Sequence, residues 1–183
     1  MAHQGQTIFN PRTGQRMEFL QISDEELRFK SLIPPAPPEP MHIHPNQVSG
    51  ARISAGELVF EVDGEERRVG PGESIEIPAG VKHRFRNEGG EDVVSEQYFR
   101  PALDIASFVE TFFALAQRDE LDDKGLPGTL QMMAIVPEFG EEIRPVSPPW
   151  PLLKGLSVVL GPVARMRGYE PRLSASSDHE AAA

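Results

Sequence analysis

Apolar and polar residues alternate through much of the first hundred positions of the chain. Residues 57–62 follow the two-residue period of a β-strand, Asp63-Gly64 marks a tight hairpin turn, and residues 65–69 return as a second strand. Further proline and glycine pairs divide the segment up to residue 99 into short extended runs. Short strands at this spacing predict a β-sandwich or a barrel.

Two more extended runs, residues 15–21 and 26–32, come before a proline-rich stretch at residues 34–40. Proline-rich stretches act as stiff spacers between domains. The segment that precedes this one is too short to fold alone, however. We therefore interpret residues 1–40 as N-terminal strands and a rigid bend that join a barrel core at residues 41–101.

The hydrophobic period changes after the last predicted strand. One stretch follows the i, i+3, i+4 spacing of an amphipathic helix, and its apolar side consists of Ile105, Phe108, Val109, Phe112, Phe113 and Ala116. We assign the phenylalanines of this side to the core or to a dimer contact. Pro127 and Pro151 can each begin another helix, and we expect the last helix to stop or kink near Gly161-Pro162. The pattern predicts a helical extension over residues 102–173 and a disordered tail over residues 174–183.

The composition narrows the chemistry of any site. The chain has 183 residues and a net charge of -10, which argues against a nucleic acid or an anionic membrane surface as partner. It has no cysteine, so any metal must be bound by histidine, carboxylate or carbonyl groups. The first ten residues lack a basic region followed by an apolar run, and no apolar run is long enough to span a bilayer. We therefore expect a cytoplasmic protein.

The chain has five histidines, and three of them have the spacing of a metal site. His42 and His44 are two positions apart, so both rings point to the same face of a strand. His83 lies in a later strand, directly after a proline-glycine turn. His3 and His179 lie near the two ends of the sequence, which leaves the other three as candidate ligands.

The residues around His83 carry a long and specific motif. The second motif of the cupin superfamily is Gly, five residues, Pro, one residue, Gly, two residues, His, three residues and Asn, and GESIEIPAGVKHRFRN at residues 72–87 matches it at every position. The first cupin motif is His, one residue, His, three or four residues, Glu, six residues and Gly. Residues 42–56, HIHPNQVSGARISAG, resemble this motif with both histidines and the final glycine but without the glutamate.

This resemblance implies a single small cupin, which is an all-β protein whose double-stranded β-helix, or jelly-roll barrel, encloses the site, here with a C-terminal helical extension. It also implies one divalent metal ion on His42, His44 and His83. A site of this kind resembles those of three-histidine cupin dioxygenases, which bind iron(II) and leave adjacent positions open for substrate and oxygen. Iron is the metal we expect, with manganese, nickel, cobalt, copper and zinc as the other candidates.

The position of the absent glutamate falls at Ser49 or at Val48, depending on the spacing used. If Ser49 faces inward, Ala51 faces inward with it and Arg52 faces solvent. If Val48 faces inward, Arg52 is buried without a partner, at considerable cost. We therefore place Ser49 at the vacant ligand position, where its hydroxyl can hold a metal-bound water.

Without that glutamate the protein compensates little of the metal's charge, which favours an anionic, chelating substrate such as an enolate, a catecholate or a carboxylate. The small side chains of Ser49 and Ala51 leave room in the barrel for this substrate. Phe85 and Gln97 are further candidate pocket residues. Gln47 is another, although a role in a turn is the simpler interpretation. The motifs offer no obvious general base.

Two functional hypotheses follow. The first is a metalloenzyme that performs dioxygenase-like oxidative cleavage or acts as an isomerase or cyclase. The second is a barrel that binds a small ligand without catalysis. Histidines satisfied by hydrogen bonds alone, without a metal, are a further alternative. We also expect a homodimer, because the N-terminal strands can pair with a neighbour's sheet and the helices carry more apolar surface than one barrel wall obviously buries.

Overall fold

The computed structural model describes residues 2–177, and within this range the chain forms two antiparallel sheets and three helices. The strands are β1 (Thr7–Phe9), β2 (Arg16–Ile22), β3 (Leu27–Ile33), β4 (His42–Ile43), β5 (Val48–Ala55), β6 (Leu58–Val62), β7 (Glu65–Val69), β8 (Ser74–Ile77), β9 (His83–Arg86), β10 (Val93–Arg100) and β11 (Arg144–Pro145). The helices are α1 (Ile105–Gln117), α2 (Thr129–Phe139) and α3 (Trp150–Met166).

The two sheets form the predicted jelly-roll barrel with a helical extension. One sheet has the strand order β1-β2-β3-β10-β5-β8, and the other has the order β11-β4-β9-β6-β7. Apolar side chains from both sheets pack together as the barrel core, which consists of Ile33, Ala51, Ile53, Leu58, Phe60, Val69, Ile75, Ile77 and Val93. This burial of apolar surface between sheets is the main stabilising contribution to the barrel.

The hairpin between β6 and β7 follows the sequence pattern directly. Val62 pairs with Glu65, which leaves a loop of two residues, Asp63 and Gly64. Their φ angles are 52° and 91°, as required at both central positions of a type I′ turn. Glycine adopts such angles without strain and aspartate tolerates them, so these two residues fix the register of the hairpin.

The N-terminal strands extend the sheet of their own chain. β3 pairs with β10 and β2 pairs with β3 along most of their lengths. β2 and β3 thus have partners within their own chain, and the pairing of the N-terminal segment with a neighbour's sheet stays a prediction. They lengthen one barrel wall and offer its outer part as a platform for the helices.

The segment predicted to be a disordered tail is ordered where it is described. Leu173 and Ala175 are buried, and Ser177 forms a bridge with Ile8 at the outer edge of β1. The amide N–H of Ser176 donates to Gln117 on α1. Residues 174–177 therefore cover a sheet edge, and residues 178–183 lie outside the described residues.

The predicted helical extension is present, with two corrections. α1 begins and ends close to the predicted bounds, whereas α2 begins at Thr129 and not at Pro127. α3 continues through Gly161-Pro162 to Met166, where we expected a stop or kink. A side-chain carbon at Gly161 would lie 3.3 Å from the carbonyl oxygen of Met133, so α3 packs closely on α2 at this point. Among residues 2–177, no helix has the length and apolar character to cross a membrane.

Several contacts join the extension to the barrel, and two of them involve whole elements. The first is a shared apolar cluster, in which α1 and α2 pack against β1, β2 and β3 through residues that include Ile8, Phe19, Phe29, Ile105, Leu115 and Phe139. The second is β11, which pairs with β4 so that Arg144 lies opposite Ile43 and Pro145 lies opposite His42. The connection between α2 and α3 is therefore the strand beside the first predicted metal ligand.

Candidate metal centre

The structure brings together the three histidines that the motifs predict. His42 lies on β4, directly opposite His83 on β9, and His44 follows two residues after His42. One ring nitrogen from each histidine lies within 4.8 Å of the corresponding nitrogen of the other two. All three residues are buried inside the barrel.

A backbone carbonyl fixes the ring of each histidine. Nδ1 of His42 contacts the carbonyl oxygen of Pro40 at 2.9 Å, and Nδ1 of His83 contacts that of Val81 at 2.8 Å. Nδ1 of His44 contacts the carbonyl oxygen of Glu142 at 2.7 Å. A carbonyl can only accept, so each Nδ1 carries the proton and each Nε2 keeps a free lone pair. Three neutral imidazoles oriented in this way are the donor set that a divalent transition metal requires.

Burial keeps these rings neutral. It lowers the pKa of His42, and it lowers the pKa of His44 to about 3, with a further contribution from the neighbouring His42. Burial likewise lowers the pKa of His83 to about 4. A protonated imidazole has no lone pair for a metal, so the depressed pKa values keep the three nitrogens available well below neutral pH.

Other residues of the second motif support the histidines structurally. The amide N–H of Gly80 donates to the carbonyl oxygen of His44 at 2.8 Å, which ties the proline-glycine turn to the strand that carries two of the rings. The buried side chain of Asn87 donates to the carbonyl oxygens of Ile33 and Glu91, and its own oxygen accepts from Gly89. Asn87 therefore closes the loop after β9 and does not reach the metal site.

The predicted register of β5 is correct. Ser49, Ala51 and Ile53 are buried, whereas Arg52 and Ser54 are exposed. Ser49 lines the same cavity as the three histidines. The inward face of β5 thus presents the hydroxyl of Ser49 and the methyl group of Ala51 beside the histidine rings. Longer side chains at these positions would fill part of the cavity.

A cavity of about 780 Å³ opens from the histidines, and four of the five candidate pocket residues line it: Ser49, Ala51, Phe85 and Gln97. Gln47 does not line it. Its side chain is completely buried, and its amide nitrogen donates to the carbonyl oxygens of Pro101 at 3.0 Å and Ala102 at 2.7 Å. These hydrogen bonds hold Gln47 against the chain that leaves β10, and its side chain also hydrogen-bonds to His44, so Gln47 contacts a predicted metal ligand although it does not line the cavity.

Glu39 is a polar residue of the site that the sequence analysis missed. Its carboxylate lies 4.0 Å from Nδ1 of His42, accepts a hydrogen bond from the backbone of Phe85 and lines the cavity. Burial raises the pKa of Glu39 to about 7, although 36% of its side chain is exposed. Its sequence signal is weak: it is the one acidic residue within the proline-rich stretch and precedes His42 by three positions.

Two contributions of the helical extension to the site were also missed. The carbonyl of Glu142 that anchors His44 leaves no signal in the sequence, since any residue type supplies a carbonyl. The phenylalanine side of α1 was assigned to core or dimer contact. Phe113 is indeed buried, but Phe108, Phe112 and Phe113 also line the cavity, and the first two are only partly buried.

Comparison with known proteins agrees with this architecture. Residues 28–95 match the cupin domain family. An RmlC-like cupin from Shewanella frigidimarina superposes with a TM-score of 0.50 at 19% identity, covering 58% of this chain and 96% of that chain. A search of curated protein sequences gave no match.

Two further solved structures are similar at lower TM-scores. A Thermus thermophilus protein is 25% identical and covers 51% of this chain and 88% of its own, with a TM-score of 0.47. The DMSP lyase DddQ from Ruegeria pomeroyi is 29% identical and covers 45% of this chain and 41% of its own, with a TM-score of 0.40. With the matched domain, the two-sheet barrel and the histidine triad inside it, residues 28–95 of this chain form a cupin domain.

Proposed function

We propose that this chain is a cytoplasmic small-molecule metalloenzyme that binds one divalent transition metal, with iron as our first choice, on His42, His44 and His83. The observation that carries the proposal is that the same nitrogen of each ring is held by a backbone carbonyl. Each Nδ1 is held by a backbone carbonyl, so the three Nε2 lone pairs remain for one ion. Histidines that served only as polar core residues would need partners for these nitrogens too.

The substrate class follows from the charge of the site. Three neutral imidazoles leave the charge of a divalent ion uncompensated, and an enolate, a catecholate or a carboxylate can neutralise it. When bound, such a metal supplies Lewis acidity and, if it is iron, redox chemistry with oxygen. The reactions we propose are dioxygenase-like oxidative cleavage or, with the same residues, an isomerisation or cyclisation.

Glu39 supplies the proton acceptor that the motifs lack. A catechol or an enol must lose a proton to bind as an anion. The Glu39 carboxylate lies at the cavity wall beside His42, within reach of a substrate bound at the histidines, and burial raises its pKa in the metal-free chain to about 7. Ser49 and Gln97 offer a hydroxyl and an amide that can hydrogen-bond to the oxygen atoms of the substrate.

Metal analysis of the purified protein, followed by oxygen uptake and product analysis with a panel of catechols and enols, tests the proposal. We expect about one metal ion per chain and turnover of at least one member of the panel. Glu39→Gln should keep the metal and lose turnover at neutral pH. Bound metal with tight ligand binding and no product would favour the non-catalytic binding module, and a metal-free protein with no affinity for added metal would contradict the proposal.

We further propose a homodimer that associates through α3. Apolar residues recur along this helix at alternating spacings of four and three, the spacing of a two-stranded coiled-coil seam: Leu152, Leu156, Val159, Val163 and Met166. Leu152 is 56% exposed, Val159 69% and Met166 79%. In a two-fold symmetric dimer, the stripe of one copy packs against the same stripe of the second copy. An exposed apolar stripe of this length is unusual on a monomer.

A further inference from the structure

The cavity that begins at the histidines extends beyond the barrel. It is lined by β2 and β3, by the proline-rich stretch, by α1 and α2, and by the loop at residues 121–126. Its volume of about 780 Å³ is in the range, roughly 300–1,000 Å³, that holds drug-sized ligands. A small catecholate or enolate bound at the histidines would leave most of this volume empty.

Two groups of contacting aromatic rings line the cavity beyond the histidines. The ring of His44 contacts the ring of Phe99 edge to face at 4.8 Å, and Phe99 stacks on Phe29 at 6.0 Å. On α1, Phe108 contacts Phe112 at 4.6 Å and Phe139 of α2 at 5.6 Å. These phenylalanines belong to one packed cluster and all line the cavity. We call them the aromatic channel: Phe29, Phe99, Phe108, Phe112 and Phe139.

The channel has the polarity of a binding site for an apolar chain. Every described residue of α1 and α2 that lines the cavity is apolar. The charged lining residues come instead from two places, the barrel end with Glu39, Arg84 and Arg86, and the surface loops with Arg12, Asp123 and Lys124. Phe99, Phe108 and Phe112 are only partly buried although they lie within the fold, so they face the cavity with surface that an apolar ligand would remove from water.

We propose that the ligand is an amphiphile, with an anionic chelating group at the three histidines and a long alkyl or aryl tail in the aromatic channel. The position of the anionic group rests on the proposed function. The tail site rests on the channel alone, so each part can fail separately.

Straight-chain carboxylates from butanoate to dodecanoate serve as probes, and their affinity is measured by calorimetry on the metal-loaded protein. Burial of each added methylene group in an apolar site contributes about 0.8 kcal/mol, so the affinity should rise about fourfold per methylene group until the channel is full. Phe108→Trp and Phe112→Trp should fill the channel and shift the plateau to shorter chains. Val158→Trp, on an exposed position of α3, is the matched control and should leave the plateau in place.

The same series on the metal-free protein separates the two proposals. If the affinity still rises with chain length but is lower for every probe by one common factor, both the channel and the metal head-group site stand. A rise with chain length that is independent of metal supports the channel and counts against the metal-centred function. Affinity that does not depend on chain length, an absence of binding for all probes, or a plateau unchanged in both tryptophan variants would overturn the channel.

Discussion

Nδ1 of His44 and the carbonyl oxygen of Glu142 lie 2.7 Å apart, although 98 positions separate the two residues in the chain. The pairing of β11 with β4 holds that carbonyl beside the barrel. The side chain of Asn46 adds hydrogen bonds to the backbone and carboxylate of Glu141. The helical extension is thus a part of the histidine centre, and changes in its packing should reach the metal.

Gly140→Ala tests this connection between helix packing and the metal. A side-chain carbon at Gly140 would lie 2.4 Å and 2.5 Å from two ring carbons of Trp150, so either the ring or the backbone that leads to Glu142 must move. Overpacking of this kind costs about 1–3 kcal/mol. We expect a free energy of unfolding lower by that amount in urea denaturation and weaker metal binding in a competition titration.

Gly155→Ala is the matched control within the same helical extension. Nothing lies within 4 Å of the added carbon, and Gly155 is an exposed interior position of α3. The change should raise the free energy of unfolding by about 0.4–1 kcal/mol and leave metal affinity unchanged. If Gly140→Ala loses stability but binds metal as the wild type does, the Glu142 anchor has no role in the metal centre.

Removal of two ligands should abolish metal binding. His42→Ala combined with His44→Ala leaves one imidazole, which cannot hold the ion alone. Elemental analysis of the purified variant should find no bound transition metal, whereas the wild type should hold about one ion per chain. His3→Ala is the control, because His3 is an exposed histidine outside the cluster. Stoichiometric metal in the double variant would disprove the assignment of ligands.

A carboxylate introduced at Ser49 should tighten metal binding. Ser49 faces the cavity beside the histidines, so Ser49→Glu adds an anionic donor to three neutral ones. Val48 is on the opposite face of β5, and Val48→Glu should change stability without any gain in affinity. Metal competition titrations measure the metal affinity of the two variants. A higher metal affinity in Val48→Glu alone would mean that the vacant ligand position is misassigned.

Acid should destabilise the metal-free protein. An unfolded histidine titrates near about 6.5, whereas burial lowers the pKa of His44 to about 3 and that of His83 to about 4. Between the unfolded pKa of each histidine and its lower folded pKa, that histidine is protonated in the unfolded chain and neutral in the folded chain. The free energy of unfolding should therefore fall by about 1.4 kcal/mol per pH unit for each histidine as the pH drops from about 6.5 towards 4.

Urea denaturation across this pH range measures the effect. Glu39 acts in the opposite sense, because its pKa is raised to about 7 and the folded chain then holds a proton that the unfolded chain releases. The measurement is therefore made in the Glu39→Gln background. Replacement of all three histidines by glutamine should flatten the profile, and an equally steep profile in that variant would assign the acid sensitivity to other groups.

The homodimer proposal predicts a mass in sedimentation equilibrium of about twice the single-chain value of 20.2 kDa. Val159→Glu places a charge within the α3 stripe and should give monomers, whereas Ile22→Glu, at an exposed apolar position of β2, should not. A single-chain mass across the micromolar range would exclude the dimer.

The sequence predicted the parts of the site that depend on local spacing. His42 and His44 share a face because a strand has a period of two, and the burial of Ser49 and Ala51 with Arg52 outside follows from the same rule. Motif spacing then supplied His83. The register, the triad and the hairpin turn all follow from relations within a few residues or within a motif.

The missed features depend on contacts between distant segments. Glu39 has its raised pKa only because the proline-rich stretch folds over the cavity. The pairing of Ser177 with Ile8 depends on where the chain returns after α3, which no local pattern encodes. The neighbours of Gln47 and Phe108 likewise become known only with the full fold.

The pairing of β11 with β4 also determines when, during synthesis, the histidine centre can be completed. Synthesis proceeds from the N-terminus, so all three histidines leave the ribosome well before Glu142 does. Until then the ring of His44 lacks the carbonyl that selects its tautomer. If the histidines bind an ion as we propose, a nascent chain carries all three ligands before it has the carbonyl that orients His44, and tight binding of that ion should wait until the helical extension has been made.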